Sequence, residues 1–119
     1  MSKLSLRRKS ESVLIETEEG TDVNMELREM SASERDSYLE SLTKRVRFDP
    51  AGRPGGVKDF TGIHADLLTR CLFRENQSVP HGEIQGWPAS VTSELYAMAQ
   101  KLNGLDKDTK GLEPDSKNG

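Results

Sequence analysis

Cysteine and histidine are nearly absent from this 119-residue chain, which holds one of the first and two of the second. Cys71 has no intrachain partner, so a disulfide and a cysteine-built metal cage are both excluded. His64 and His81 stand too far apart in sequence to suggest a compact metal site. Aromatic residues make up only 5% of the chain, and Trp87 is the one tryptophan. No apolar run approaches membrane-spanning length, and the opening Met-Ser-Lys-Leu-Ser-Leu-Arg-Arg-Lys lacks the apolar block of a secretory signal, which points to the cytoplasm. Positive charge is not in excess either. A formal charge of −3 and a pI near 5.4 give no general argument for binding nucleic acid or phosphate.

What is present suits one small domain with a modest core, since only 33% of residues are apolar and both ends are polar. Residues 1–11 read as a flexible basic arm carrying Lys3, Arg7, Arg8 and Lys9. Residues 12–105 read as the folded domain. Residues 106–119 form a charged tail without periodicity, expected to be disordered because burial cannot offset the entropy of ordering it. Within the domain, residues 16–40 are strongly acidic and the stretch through Lys44, Arg45, Arg47, Arg53 and Lys58 turns basic. This alternation suits a solvated mixed surface, and it also allows one copy to attract another.

The best-punctuated segment is 84–105. Val91, Leu95, Met98 and Leu102 recur at helical spacing, Pro88 suits a first helical position, and Gly104 offers a left-handed stop followed by apolar Leu105. Trp87, just before the proline, is expected to anchor the helix start. Toward the other end, Val13 and Ile15 alternate in 12–17, as do Val23, Met25 and Leu27 in 22–30. With Gly20 between them, the two segments predict an antiparallel hairpin that must lie on helices or pair with another strand.

A helix over about 32–46 follows, with Ser31 or Ser33 as its cap in a capping box and Tyr38, Leu39, Leu42 and Val46 as a narrow core stripe. Residues 47–60 contain two prolines and three glycines and are expected to form a long loop. Its Gly-Arg-Pro-Gly-Gly lacks the Gly-Lys-Ser/Thr ending of a phosphate loop and the buried strand that precedes one. Thr61 is expected to cap a core helix over about 62–74, bearing Ile63, Leu67, Leu68, Cys71 and Leu72. A polar turn at 75–78 and a short helical turn at 80–86 lead back to Trp87. The fold class is therefore α+β, an N-terminal antiparallel hairpin followed by a small bundle of three to four helices.

Catalysis is the least supported function. The carboxylates fall on expected surfaces, the histidines are isolated, and no nucleophile has a base at motif spacing, so no catalytic, cofactor or metal residues are assigned. The two wide helical faces instead supply more apolar positions than one small core obviously needs. Leu67, Leu68, Leu72, Leu95, Met98 and Leu102 are thus at once the expected core and the candidates for a partner-binding groove, with Trp87, Pro88 and Gly104 as structural anchors. Met25, Met30 and Met98 add adaptable surface.

Several segments together resemble the tail assembly chaperones of long-tailed bacteriophages. They are 26–39 (Glu-Leu-Arg-Glu-Met-Ser-Ala-Ser-Glu-Arg-Asp-Ser-Tyr-Leu), 67–72 (Leu-Leu-Thr-Arg-Cys-Leu), 84–91 (Ile-Gln-Gly-Trp-Pro-Ala-Ser-Val) and 99–105 (Ala-Gln-Lys-Leu-Asn-Gly-Leu), in an order that spans about 13–105. The resemblance implies a protein without a cofactor, made in the host cytoplasm and absent from the finished virion. It would bind the tape-measure protein, keep it soluble, and help recruit the tail tube protein through a frameshift-extended form. Lys117-Asn118 is compatible with an A-rich slippery run near the gene's end. Self-association along the client is expected through the charged hairpin and the 47–60 loop; a membrane or nucleic-acid partner is not. Two other classes compete: a structural tail-completion or connector protein of the virion, and a small DNA-binding regulator with Arg7, Arg8 and Lys9 as its arm.

Overall fold

The computed structural model describes residues 2–48, 54–57 and 62–105, with 46–48 and 54–57 described through their backbone alone. The expected tail at 106–119 and the expected cap Thr61 lie outside these residues.

Alternating apolar residues build the first unit. Strand β1 (Ser10–Glu16) pairs antiparallel with β2 (Asp22–Arg28), in register from Ser10↔Arg28 to Glu16↔Asp22. The turn is closed by the Gly20 amide donating to the Thr17 carbonyl at 2.9 Å, with Gly20 at φ +85°, a backbone region that disfavours side chains. Val13, Ile15, Val23, Met25 and Leu27 face inward; Leu14, on the opposite face, is exposed.

Helix α1 (Ala32–Thr43) begins at Ser31, which settles the choice between the two serines. The Glu34 amide donates to Ser31 Oγ at 3.2 Å while Glu34 Oε1 accepts from the Ser31 amide at 2.8 Å, a reciprocal capping box. The helix ends at Thr43, earlier than periodicity suggests, because the chain turns into a short strand, β3 (Val46–Phe48). Its partner β4 (Pro54–Val57) gives an antiparallel ladder with Val46↔Val57 and Phe48↔Pro54. The long-loop expectation for 47–60 is therefore corrected. Glycine and proline hide the side-chain alternation that reveals a strand, yet backbone pairing does not need it, and Pro54 stands at the first position of its strand, where a missing N–H is tolerated.

Helix α2 (Ile63–Cys71) is shorter than the expected 62–74. Gly62, at φ 67°, precedes it and no side chain caps it. Leu72 turns extended, and Leu72–Arg74 becomes strand β5 beside β2, with Leu27↔Leu72 and Glu26↔Phe73 in register. Helical spacing of Leu68 and Leu72 concealed this change, because a residue can continue a helical stripe while its backbone satisfies a neighbouring sheet edge. Glu75 and Asn76 both take positive φ in the two-residue turn to β6 (Gln77–Ser78), completing a four-stranded sheet in the order β1-β2-β5-β6.

Helix α3 (His81–Gln85) and helix α4 (Ala89–Asn103) follow much as expected, with Pro88 one position earlier, at the cap of α4. Gly104 at φ 68° ends α4, and Leu105 beyond it is fully buried. The architecture is α+β as expected: an N-terminal hairpin and, among the described residues, four helices, of which α2 and α4 pack on the sheet while α1 and α3 pack on α2. The core holds Leu27, Tyr38, Leu42, Leu67, Leu68, Leu72 and Ile84 with no exposed surface, and α2 lies at its centre, against α1, α3, α4 and the sheet.

Candidate functional site

Four of the six groove candidates are part of this core. Leu67, Leu68 and Leu72 have no exposed surface and Leu95 has 2%, so none presents a contact surface in the folded chain. Periodicity identifies a face that must be covered, but not whether the cover is the chain itself or a partner. Met98 and Leu102 remain half-buried on the flank of α4.

An apolar concavity lies elsewhere, at the turn end of the β1–β2 hairpin. It is an open groove of about 390 Å³ walled by Ile15, Val23 and Met25 from the sheet and by Trp87, Pro88 and Val91 from the α3–α4 junction. The junction is held by hydrogen bonds: the Trp87 amide donates to the Ile84 carbonyl at 3.0 Å, and the Val91 amide to the Pro88 carbonyl at 3.0 Å. Trp87 and Pro88 are thus both anchors of α4 and part of the groove wall. At the far end of α4, the buried Asn103 Oδ1 accepts from the Met30 amide at 2.7 Å. With Val91 near the hairpin turn and Asn103 beside the end of β2, α4 runs along β2 in the same direction, and its half-buried Met98 and Leu102 extend the apolar flank away from the groove.

Charge borders the groove. Arg74 and Glu83 form a two-pronged pair at 2.6 and 2.9 Å. The Arg74 hydrogen bond holds the Glu83 carboxyl below its ordinary range, and Glu83 in turn raises Arg74. Glu16 and Glu18 line the open side. A second, more open hollow of about 230 Å³ includes Arg28, Phe73 and Asn76. There the Arg28 guanidinium lies 4.3 Å over the Phe73 ring, donates to Asn76 Oδ1 at 2.6 Å and pairs with Glu26, so its charge is already engaged within the chain.

Cys71 and His64 are both held by packing. Cys71 is fully buried, with its thiol pushed up to about 12 chiefly by burial, and it remains a neutral thiol near pH 7. His64 packs on Tyr96 with ring centroids 4.3 Å apart, and burial lowers its pKa. Because the folded value is depressed, the neutral imidazole's contribution to stability is present above the unfolded value of about 6.5 and lost as pH falls through the folded one. Thermal melts should accordingly show stability declining from pH 7 toward pH 5, and His64→Gln should flatten that slope. An unchanged slope would assign the decline to other groups.

Among the described residues, no cluster of three histidines, cysteines or carboxylates is arranged to hold a metal ion, and no helix is long and apolar enough to cross a membrane. Compared with known proteins, the chain matches no family, no curated protein and no solved structure.

Proposed function

We propose that this chain is a phage tail assembly chaperone, which holds an apolar stripe of the long helical tape-measure protein in the groove between its hairpin and α4. The observation that carries this reading is the groove itself: an open apolar surface built on hydrogen-bonded elements and bordered by charge. Helix-in-groove recognition needs such a surface, where an amphipathic client lays its apolar face down and polar rims keep the complex soluble. Met98, half-buried along the flank, suits a client whose packing varies along its length. The resemblance of residues 13–105 to tail assembly chaperones supports the choice of client. On this reading the protein works in the host cytoplasm, tail tube subunits are recruited by a longer form of the same chain, and the finished particle lacks it.

Affinity capture of the tagged chain from phage-producing cells, with purified particles analysed alongside, tests the proposal. A very long helical protein should be captured, and the chain should be missing from particles. Trp87→Ala should weaken capture at least about tenfold, since a half-buried aromatic anchor carries a large share of binding energy. Recovery of the chain in particles without such a client would favour a structural tail-completion protein, and recovery of DNA a regulator.

A further inference from the structure

Two features of the surface are complementary, and they lie at opposite ends of the hairpin. Residues 2–9 carry neither helix nor strand, and Leu4 and Leu6 are 92% and 104% exposed. The two leucines alternate, which suits an extended segment that directs both to one side. Four positive charges, Lys3, Arg7, Arg8 and Lys9, surround them. At the other end of the hairpin, the groove offers an apolar wall of Ile15, Val23, Trp87 and Val91. The turn beside it carries Glu16, Glu18, Glu19 and Asp22 and no basic residue. One end thus presents unburied leucines among positive charge, and the other an apolar groove bordered by Glu16, Glu18 and the Arg74–Glu83 pair, with a net negative surround.

We infer that the arm of a second copy of this chain docks in the groove, with Leu4 and Leu6 against Trp87 and Val91 and with Lys3 and Arg7 facing the acidic hairpin turn. The Ile15 end of the arm's own groove is out of its reach. Its base is tied down where the Lys9 amide donates to Glu29 Oε1 at 2.9 Å, the Lys9 carbonyl accepts from the Glu29 amide at 2.8 Å, and Arg8 pairs with Glu34 at 3.6 Å. From Lys9, six residues of strand lead to Ile15, about 20 Å at strand rise. Folding back from Lys9, Leu6 reaches at most about 10 Å and Leu4 about 17 Å. Neither covers that distance, so leucines seated at the Ile15 end of the groove are a neighbour's; Met25, opposite Val13 and about 13 Å of strand from Lys9, lies within the span of the chain's own Leu4. The inference rests on the groove being a binding surface and adds its regulation: self-association covers the apolar wall until a client displaces the arm.

The single tryptophan makes the groove observable, because Trp87 emission reports its occupancy. Full-length chain should sediment above monomer mass as concentration rises, with a blue shift of Trp87 emission over the same range. The double variant Leu4→Ser/Leu6→Ser alters side chains that are almost wholly exposed in the monomer, so its folding should be unchanged. Self-association should weaken by roughly 30-fold or more, as expected for two leucines no longer buried. A peptide of residues 2–9 added to the variant should restore the shift. Raising salt to 0.5 M should weaken assembly, as charges of opposite sign are screened. A chain that stays monomeric, an assembly that survives the double variant, or an emission shift independent of concentration would each overturn the inference. Client binding separates from self-association: the double variant should still capture the long helical protein, whereas Trp87→Ala should lose both client and neighbour.

Discussion

Leu68→Ala should lower the free energy of unfolding by about 3–4 kcal/mol, within the range found when a fully buried leucine is truncated in a packed core. Leu68 has no exposed surface and lies on α2, the helix that touches α1, α3, α4 and the sheet. Elements on every side hold the site open, so collapse into the vacated space would have to move several of them together. The loss therefore combines the missing transfer energy with the cavity left behind. Set against a total stability of roughly 5–15 kcal/mol for a small domain, this is enough to unfold a substantial fraction near physiological temperature. Met98→Ala, on the half-buried flank of α4, should cost clearly less, about 1 kcal/mol. Urea unfolding of the two variants separates the cases, and equal losses would mean that the division between core and groove flank is wrong.

Asn103→Ala should cost about 2 kcal/mol, unusual for a polar residue at a helix end. The Asn103 side chain accepts from the Met30 amide at 2.7 Å, donates to the Ala99 carbonyl at 2.9 Å, and places Nδ2 3.5 Å from Cys71 Sγ. It joins the C-terminal end of α4 to the junction between β2 and α1. Truncation leaves the buried Met30 N–H without its partner, which costs the full desolvation of that group. The better helix propensity of alanine offsets only a few tenths of a kcal/mol. Asn103→Asp gives a sharper test. A carboxylate still accepts from Met30 but cannot donate to Ala99, and its charge would be buried beside a carbonyl oxygen. Burial raises the carboxyl's folded pKa, so the deficit relative to the parent protein should be largest at neutral pH and shrink as pH falls and the group protonates. A deficit that does not change with pH would show that the side chain fills space rather than satisfying the Met30 amide.

These cases mark where local pattern stops being informative. Asn103 carried no signal as a core residue, because its value comes from Met30, 73 positions away. The Ser31–Glu34 box was legible because both partners lie within one turn. Gly20 and Gly104 were legible because positive φ is a local demand that glycine meets. Strand β5 was not, since the choice between another helical turn and a ladder with β2 depends on an edge more than forty residues away in the chain. The groove itself was not legible. Trp87 and Pro88 were marked out as helix anchors, Ile15, Val23 and Val91 entered only as hairpin and helix positions, and none of the six residues offered as groove candidates lines it.

The order of apolar and turn-forming residues determined on its own that this chain is α+β, with an N-terminal hairpin, a capped α1 and an α4 that ends at Gly104, because each of those features is decided within a few residues by backbone geometry and side-chain period. Only tertiary structure decided which apolar faces are spent against one another. Leu67, Leu68, Leu72 and Leu95 are consumed by the core, while the turn end of the hairpin stands clear of α4 far enough to leave the wall around Trp87 open. Burial is a property of the packed whole, set by how many elements converge on a point, and no local period encodes it.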